Sequence, residues 1–80
     1  MYVYNNFAHW LSVQMCVCQF SQKSLSERLD ISQACVSNWI RSGSEKIPNG
    51  KPFVALARLF SEEQHRPLEE VLLEMAELVP

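Results

Sequence analysis

Residues Ser21–Arg41, S-Q-K-S-L-S-E-R-L-D-I-S-Q-A-C-V-S-N-W-I-R, decide how this chain folds. They read as two short helices joined by a tight turn. At about 100° per residue, Cys35, Val36, Trp39 and Ile40 collect on one side of the second helix, predicted to be buried. Gln33, Ala34, Ser37, Asn38 and Arg41 collect on the other, a row of small groups, amides and one guanidinium. Gln and Asn amides pair in bidentate fashion with adenine, an alanine methyl packs on a thymine methyl, and serine and arginine reach bases or phosphate. This is the chemistry needed to read base edges in a DNA major groove.

A polar helix face is most often simply solvated. This one lacks acids and long flexible lysines, whereas an idle face ordinarily carries Glu–Lys pairs one turn apart. The preceding helix and turn also supply the presentation that a groove-reading helix requires. Ser21 is predicted to cap the first helix, which ends near Leu29 with Leu25 and Leu29 pointing inward. Ser26 leaves room for a close helix crossing. Asp30 occupies the turn, where it tolerates a left-handed backbone better than most non-glycine residues. Ile31 plugs the turn into the core, and Ser32 caps the second helix.

Working outward, a helix is expected from about Asn6 to Cys18, capped by Asn5 or Asn6. Phe7, Leu11, Met15 and Cys18 form its core stripe, and Trp10, Val13 and Val17 an adjoining one. The two stripes span about 200°, more than a surface helix needs, so the Met1–Tyr4 segment or a second subunit should cover the excess. Beyond Arg41, the Ser42–Lys51 loop holds both glycines and Pro48. A fourth helix is predicted with Pro52 in its first turn and Phe53, Leu56, Ala57 and Phe60 on one face. A polar Ser61–Arg66 loop follows, and Pro67 opens a fifth helix. Glu69 and Glu70 complement its N-terminal dipole, and Leu68, Val71, Leu72, Met75 and Leu78 or Val79 make its apolar stripe.

Eighty residues, 48% of them hydrophobic and only two glycine, suit a single packed domain rather than disorder or an all-β fold. The net charge of −2 divides unevenly: residues 1–60 carry Lys23, Arg28, Arg41, Lys46, Lys51 and Arg58 against Glu27, Asp30 and Glu45, while residues 61–80 carry Arg66 against six glutamates. That asymmetry predicts a cationic face and an opposed acidic end on the last helix. Three cysteines in no framework spacing suit reduced thiols in a cytoplasm. Cys16 and Cys18 point about 200° apart on a helix, so they cannot share a metal ion there. No apolar run reaches a membrane span, and no charged residue precedes Lys23 to form a signal-peptide leader. His9 and His65 have no partners at catalytic or ligand spacing, and no phosphate loop, nucleophile elbow or carboxylate pair can be assembled. Neither an enzyme nor a cofactor is expected.

The residues Phe20–Leu29, Asp30-Ile31, Ser32-Gln33 and Val36–Ile40, continued by Pro52, Leu56–Phe60, Leu68 and Val71–Leu73, resemble the Cro and phage-repressor type of helix-turn-helix domain, the xenobiotic-response-element family. The likeness spans roughly residues 6–79. It implies an all-α, lambda-repressor-like five-helix bundle that binds operator DNA as a homodimer and represses transcription. It further implies phosphate contact by Gln22, and bases or adjacent backbone facing Ser32, Gln33, Ala34, Ser37 and Asn38. Ser21, Lys23, Lys46 and Lys51 join Gln22 and Ser32 as phosphate contacts, with Arg28 a further candidate or a local ion-pair partner. The chain departs from the family in four places. Asp30 stands where glycine is usual, and Met15 and Ile40 where lambdoid repressors often pair arginine with glutamate. The Arg41–Gly50 loop is longer, and the first helix is uncharged. The alternative function is an interaction module of the same fold, using an apolar or acidic surface to hold a protein.

Overall fold

The computed structural model describes residues 4–41, 47, 48 and 50–78. Five α-helices and no strand occur among them: α1 (Phe7–Val17), α2 (Gln22–Leu29), α3 (Gln33–Ile40), α4 (Lys51–Gln64) and α5 (Leu68–Ala76). The first three helices start where the sequence supplies a side-chain cap. The Asn6 side chain accepts the His9 N–H, and Ser32 Oγ accepts that of Cys35. At α2 the capping is reciprocal: Ser21 Oγ accepts Ser24 N–H at 3.0 Å, and Ser24 Oγ accepts Ser21 N–H at 2.8 Å. Pro52 lies in the first turn of α4, and Glu69 and Glu70 in the first turn of α5, as expected.

Three helices stop in the same way. Gln19, Asp30 and His65 have φ of 59°, 56° and 53°, the left-handed region. After each, the next amide reaches back five residues: Phe20 to Met15, Ile31 to Ser26 and Arg66 to Ser61, at 2.8, 3.0 and 3.0 Å. This bonding satisfies carbonyls that a helix end would otherwise leave orphaned. At α1 and α2 the residue after the reversal, Phe20 or Ile31, is apolar and packs against the core. Gly50 precedes α4 at φ 70°, where any side chain would be strained.

The core is assembled from every helix: Phe7, Trp10, Leu11 and Met15 of α1, Leu25 of α2, Val36 and Trp39 of α3, Leu56, Ala57, Leu59 and Phe60 of α4, and Val71 and Met75 of α5. Trp10 meets Phe60 edge to face, ring centroids 5.6 Å apart. α3 packs on α1 and α2, while α5 packs mainly on α4. The Cα radius of gyration, 11.4 Å, is that of a compact chain of this length. Among the described residues, no helix is long and apolar enough to cross a membrane.

Several expectations need correction. The Ser61–Arg66 stretch is not all loop: α4 continues through Gln64, because Ser61-Glu62-Glu63-Gln64 is polar yet contains good helix formers. Glu62 and Glu63 therefore belong to α4, not to the last helix. Cys35 is exposed rather than buried; it stands about 90° from the mean direction of Val36, Trp39 and Ile40 and so lies at the edge of the inner face. Val17, assigned to an apolar stripe, is also exposed, at the last position of α1. Residues 1–3, proposed to cover that stripe, and Val79 lie outside the described residues. Tyr4 does fold onto α1, where its hydroxyl accepts from Gln14 Nε2 at 3.1 Å.

Candidate nucleic-acid interface

The side chains singled out on α3 divide as their angular positions require. Gln33 and Ala34 are exposed, Ser37 and Asn38 half-buried, and Arg41 is exposed at the C-cap. On the opposite side Val36 is fully buried and Trp39 is 8% exposed, with Ile40 packed against the core. Two large inward side chains on an eight-residue helix fix its rotation, and so aim the amides outward. Met15 of α1 is buried in that core.

Asp30, Ile31 and Ser32 are the whole connection between α2 and α3. Asp30 supplies the left-handed residue, Ile31 the apolar plug and Ser32 the next cap. Three consecutive residues thus set the angle at which α3 leaves α2. This is where the sequence is most economical.

The cation and donor candidates lie on three elements. Gln22 and Lys23 open α2 and are exposed, and the first amides of that helix have no intrahelical partner. Lys51 is the first residue of α4 and also exposed. It lines an open groove of about 660 Å³ together with Arg28, Asp30 and Arg58, over an apolar floor that includes Leu29 and Leu59. Lys46 lies outside the described residues. The hydroxyls of Ser21 and Ser32 are engaged as helix caps, so at those two places the free donors are neighbouring backbone amides. Among the described residues, no side-chain hydrogen bond or ion pair occupies Gln22, Lys23, Gln33, Asn38 or Arg41.

Arg28 has a partner, though not a local one. Its guanidinium meets Glu63 of α4 at 3.0 Å and lies 5.6 Å from the centre of the Phe20 ring. With Arg28 paired, Lys23 is the remaining cation of α2, which also carries Glu27. The acids are also less uniform than composition suggests. Arg66 bonds Glu70 at 2.9 Å and Glu74 at 2.8 Å, and Glu74 further accepts the Trp10 indole N–H. Sequence reading missed this network, because its members are Trp10 and Gln14 of α1, Gln64 of α4, and Arg66, Glu70 and Glu74 around α5. Gln14 is the one local hint: it falls within the apolar stripes of α1 and is 3% exposed.

No family model, curated protein or solved structure matches the chain.

Proposed function

We propose that this chain is a sequence-specific double-stranded DNA-binding regulator, a helix-turn-helix domain of the Cro and phage-repressor type that represses by occupying a promoter. The observation that carries the reading is the division of α3: Gln33, Ala34, Ser37 and Asn38 face outward from a helix whose other side is anchored by Val36 and Trp39. In this reading α3 enters the major groove, with Gln33 and Asn38 pairing to base edges, Ala34 packing on a thymine methyl, and Ser37 and Arg41 reaching bases or phosphate. Gln22, Lys23 and the amides that open α2 hold the flanking phosphates, and Lys51 with Lys46 those beyond α3.

A homodimer would present two such helices to a near-palindromic operator, with half-sites about 34 Å apart. The overall charge of −2 does not by itself oppose this, since phosphate attraction is local. Selection of bound sites from a random duplex pool, followed by gel shifts at rising salt, tests the proposal. Enrichment of a two-fold site whose affinity falls steeply with salt supports it. Failure to enrich any sequence overturns it.

A further inference from the structure

An exposed apolar surface lies on α5. Leu68, Val71, Met75 and Leu78 face the core; Leu72 and Phe53 of α4 also pack against it in part, and with the exposed Leu73 and Ala76 and with Glu69 they line an open groove of about 470 Å³. Leu73 is 65% exposed, the highest value among the exposed large hydrophobic side chains of the described residues. Glu69, Leu72, Leu73 and Ala76 stand at i, i+3, i+4 and i+7 and so share one face of α5.

Charge selects the occupant. α5 carries three glutamates and no cation, and Glu77 follows it directly. Arg66 pairs with both Glu70 and Glu74 and offsets one of their two charges. Glu69, on the groove wall, and Glu77 are exposed and form no ion pair among the described residues. A second copy of this chain laid α5 against α5 would bring carboxylates toward carboxylates, which opposes pairing. A cationic helix would meet complementary charge there. We infer that the Phe53–Leu72–Leu73–Ala76 groove is a docking site for an amphipathic helix of another protein, one that inserts aliphatic side chains between α4 and α5 and sets lysine or arginine beside Glu69. Since α3 packs on α1 and α2 while α5 packs mainly on α4, the two surfaces sit on different elements. The inference does not depend on the DNA reading.

The test uses two synthetic helical peptides with leucines at i, i+3, i+4 and i+7, one flanked by lysines and the other by glutamates, titrated into ¹⁵N-labelled protein. The lysine peptide should shift the amide signals of Phe53, Leu72, Leu73 and Ala76 and bind at least about tenfold more tightly than the glutamate peptide. Leu73→Glu, at an exposed position that leaves the fold intact, should weaken it by about tenfold or more. Glu69→Lys should reverse the preference between the peptides. Equal binding of both peptides, or shifts elsewhere than this groove, overturns the inference. So does ultracentrifugation showing that Leu73→Glu turns a dimer into a monomer, which would make a second copy the occupant.

Discussion

The indole Nε1 of Trp10, on a fully buried ring of α1, donates a hydrogen bond to the Glu74 carboxylate of α5. Around this bond the polar groups form one chain. Arg66 bonds Glu74 and Glu70 and also donates to Gln64 at 3.1 Å. Gln64 donates to Gln14, and Gln14 to the Tyr4 hydroxyl. The N-terminal segment, α1, the α4–α5 connection and α5 are thus held together by side chains from across the sequence. None of the buried side-chain polar atoms among the described residues is left without a partner.

Removing the acceptor should therefore be felt. Glu74→Ala leaves a buried indole N–H unpaired and is expected to lower unfolding free energy by about 1–3 kcal/mol. Glu74→Gln keeps an acceptor and should lose less. Urea unfolding followed by tryptophan fluorescence measures both, and equal losses would show that the charge, not the Trp10 bond, dominates.

The same contacts predict a pH dependence. Burial pushes the Glu74 carboxyl up, but hydrogen bonds from Arg66 and Trp10, with the Arg66 charge, outweigh it and hold the group below its ordinary value. The hydrogen bond to Glu74 leads the causes that raise Arg66, which stays charged throughout. A carboxyl depressed in the folded state contributes fully above its unfolded value of about 4.3 and is lost as pH falls through the lower folded value. Stability should decline below about pH 4.3, and less steeply in Glu74→Gln. Parallel declines in urea titrations between pH 3 and 7 would remove Glu74 as a contributor.

Asp30 offers a substitution of opposite sign. Its φ of 56° is accessible to aspartate but easier for glycine. Asp30→Gly should raise stability by up to about 1 kcal/mol, and Asp30→Val, β-branched in the left-handed region, should lower it by about 1–2 kcal/mol. Thermal melts of the three proteins give the order. A glycine variant less stable than the parent would mean that the Asp30 side chain contributes more than its backbone geometry suggests.

What could be read in advance was what residues encode locally. The caps at Asn6, Ser21 and Ser32, the left-handed turn at Asp30 and the proline start of α4 depend on a few neighbouring side chains, and each lies where its type demands. Gln19 and His65 adopt the same helix-ending geometry without glycine or asparagine to mark it, so no local signal shows that α4 runs on to Gln64. The division of α3 into two faces was legible from spacing, but Cys35 lies at the boundary, where spacing is silent. Arg28–Glu63 and Trp10–Glu74 join residues 35 and 64 apart, and no local pattern announces such pairs.

The position of Cys35 can be checked chemically. Cys35 and Cys16 are exposed, and Cys18 is half-buried against Gln64, whose Nε2 lies 3.6 Å from its sulfur. Iodoacetamide should modify Cys16 and Cys35 in the folded protein well before Cys18, with sites identified by mass spectrometry. If α3 lies in a DNA groove, bound duplex should slow modification at Cys35 and leave Cys16 unchanged. Equal protection of both thiols would place the DNA elsewhere.

Base and phosphate contacts separate by the way their loss depends on sequence and salt. Asn38 lies on the outward side of α3, half-buried, while Lys23 stands exposed near the start of α2. Asn38→Ala should keep the fold and the salt dependence but lose about 1–3 kcal/mol of discrimination between the preferred site and one altered at a single base pair. Lys23→Ala should weaken binding to both duplexes alike and make the slope of log affinity against log salt shallower by about one. Each variant controls for the other, because a merely misfolded protein would lose affinity and discrimination together. If Asn38→Ala and Gln33→Ala both distinguish the duplexes as well as the parent does, α3 is not the reading element.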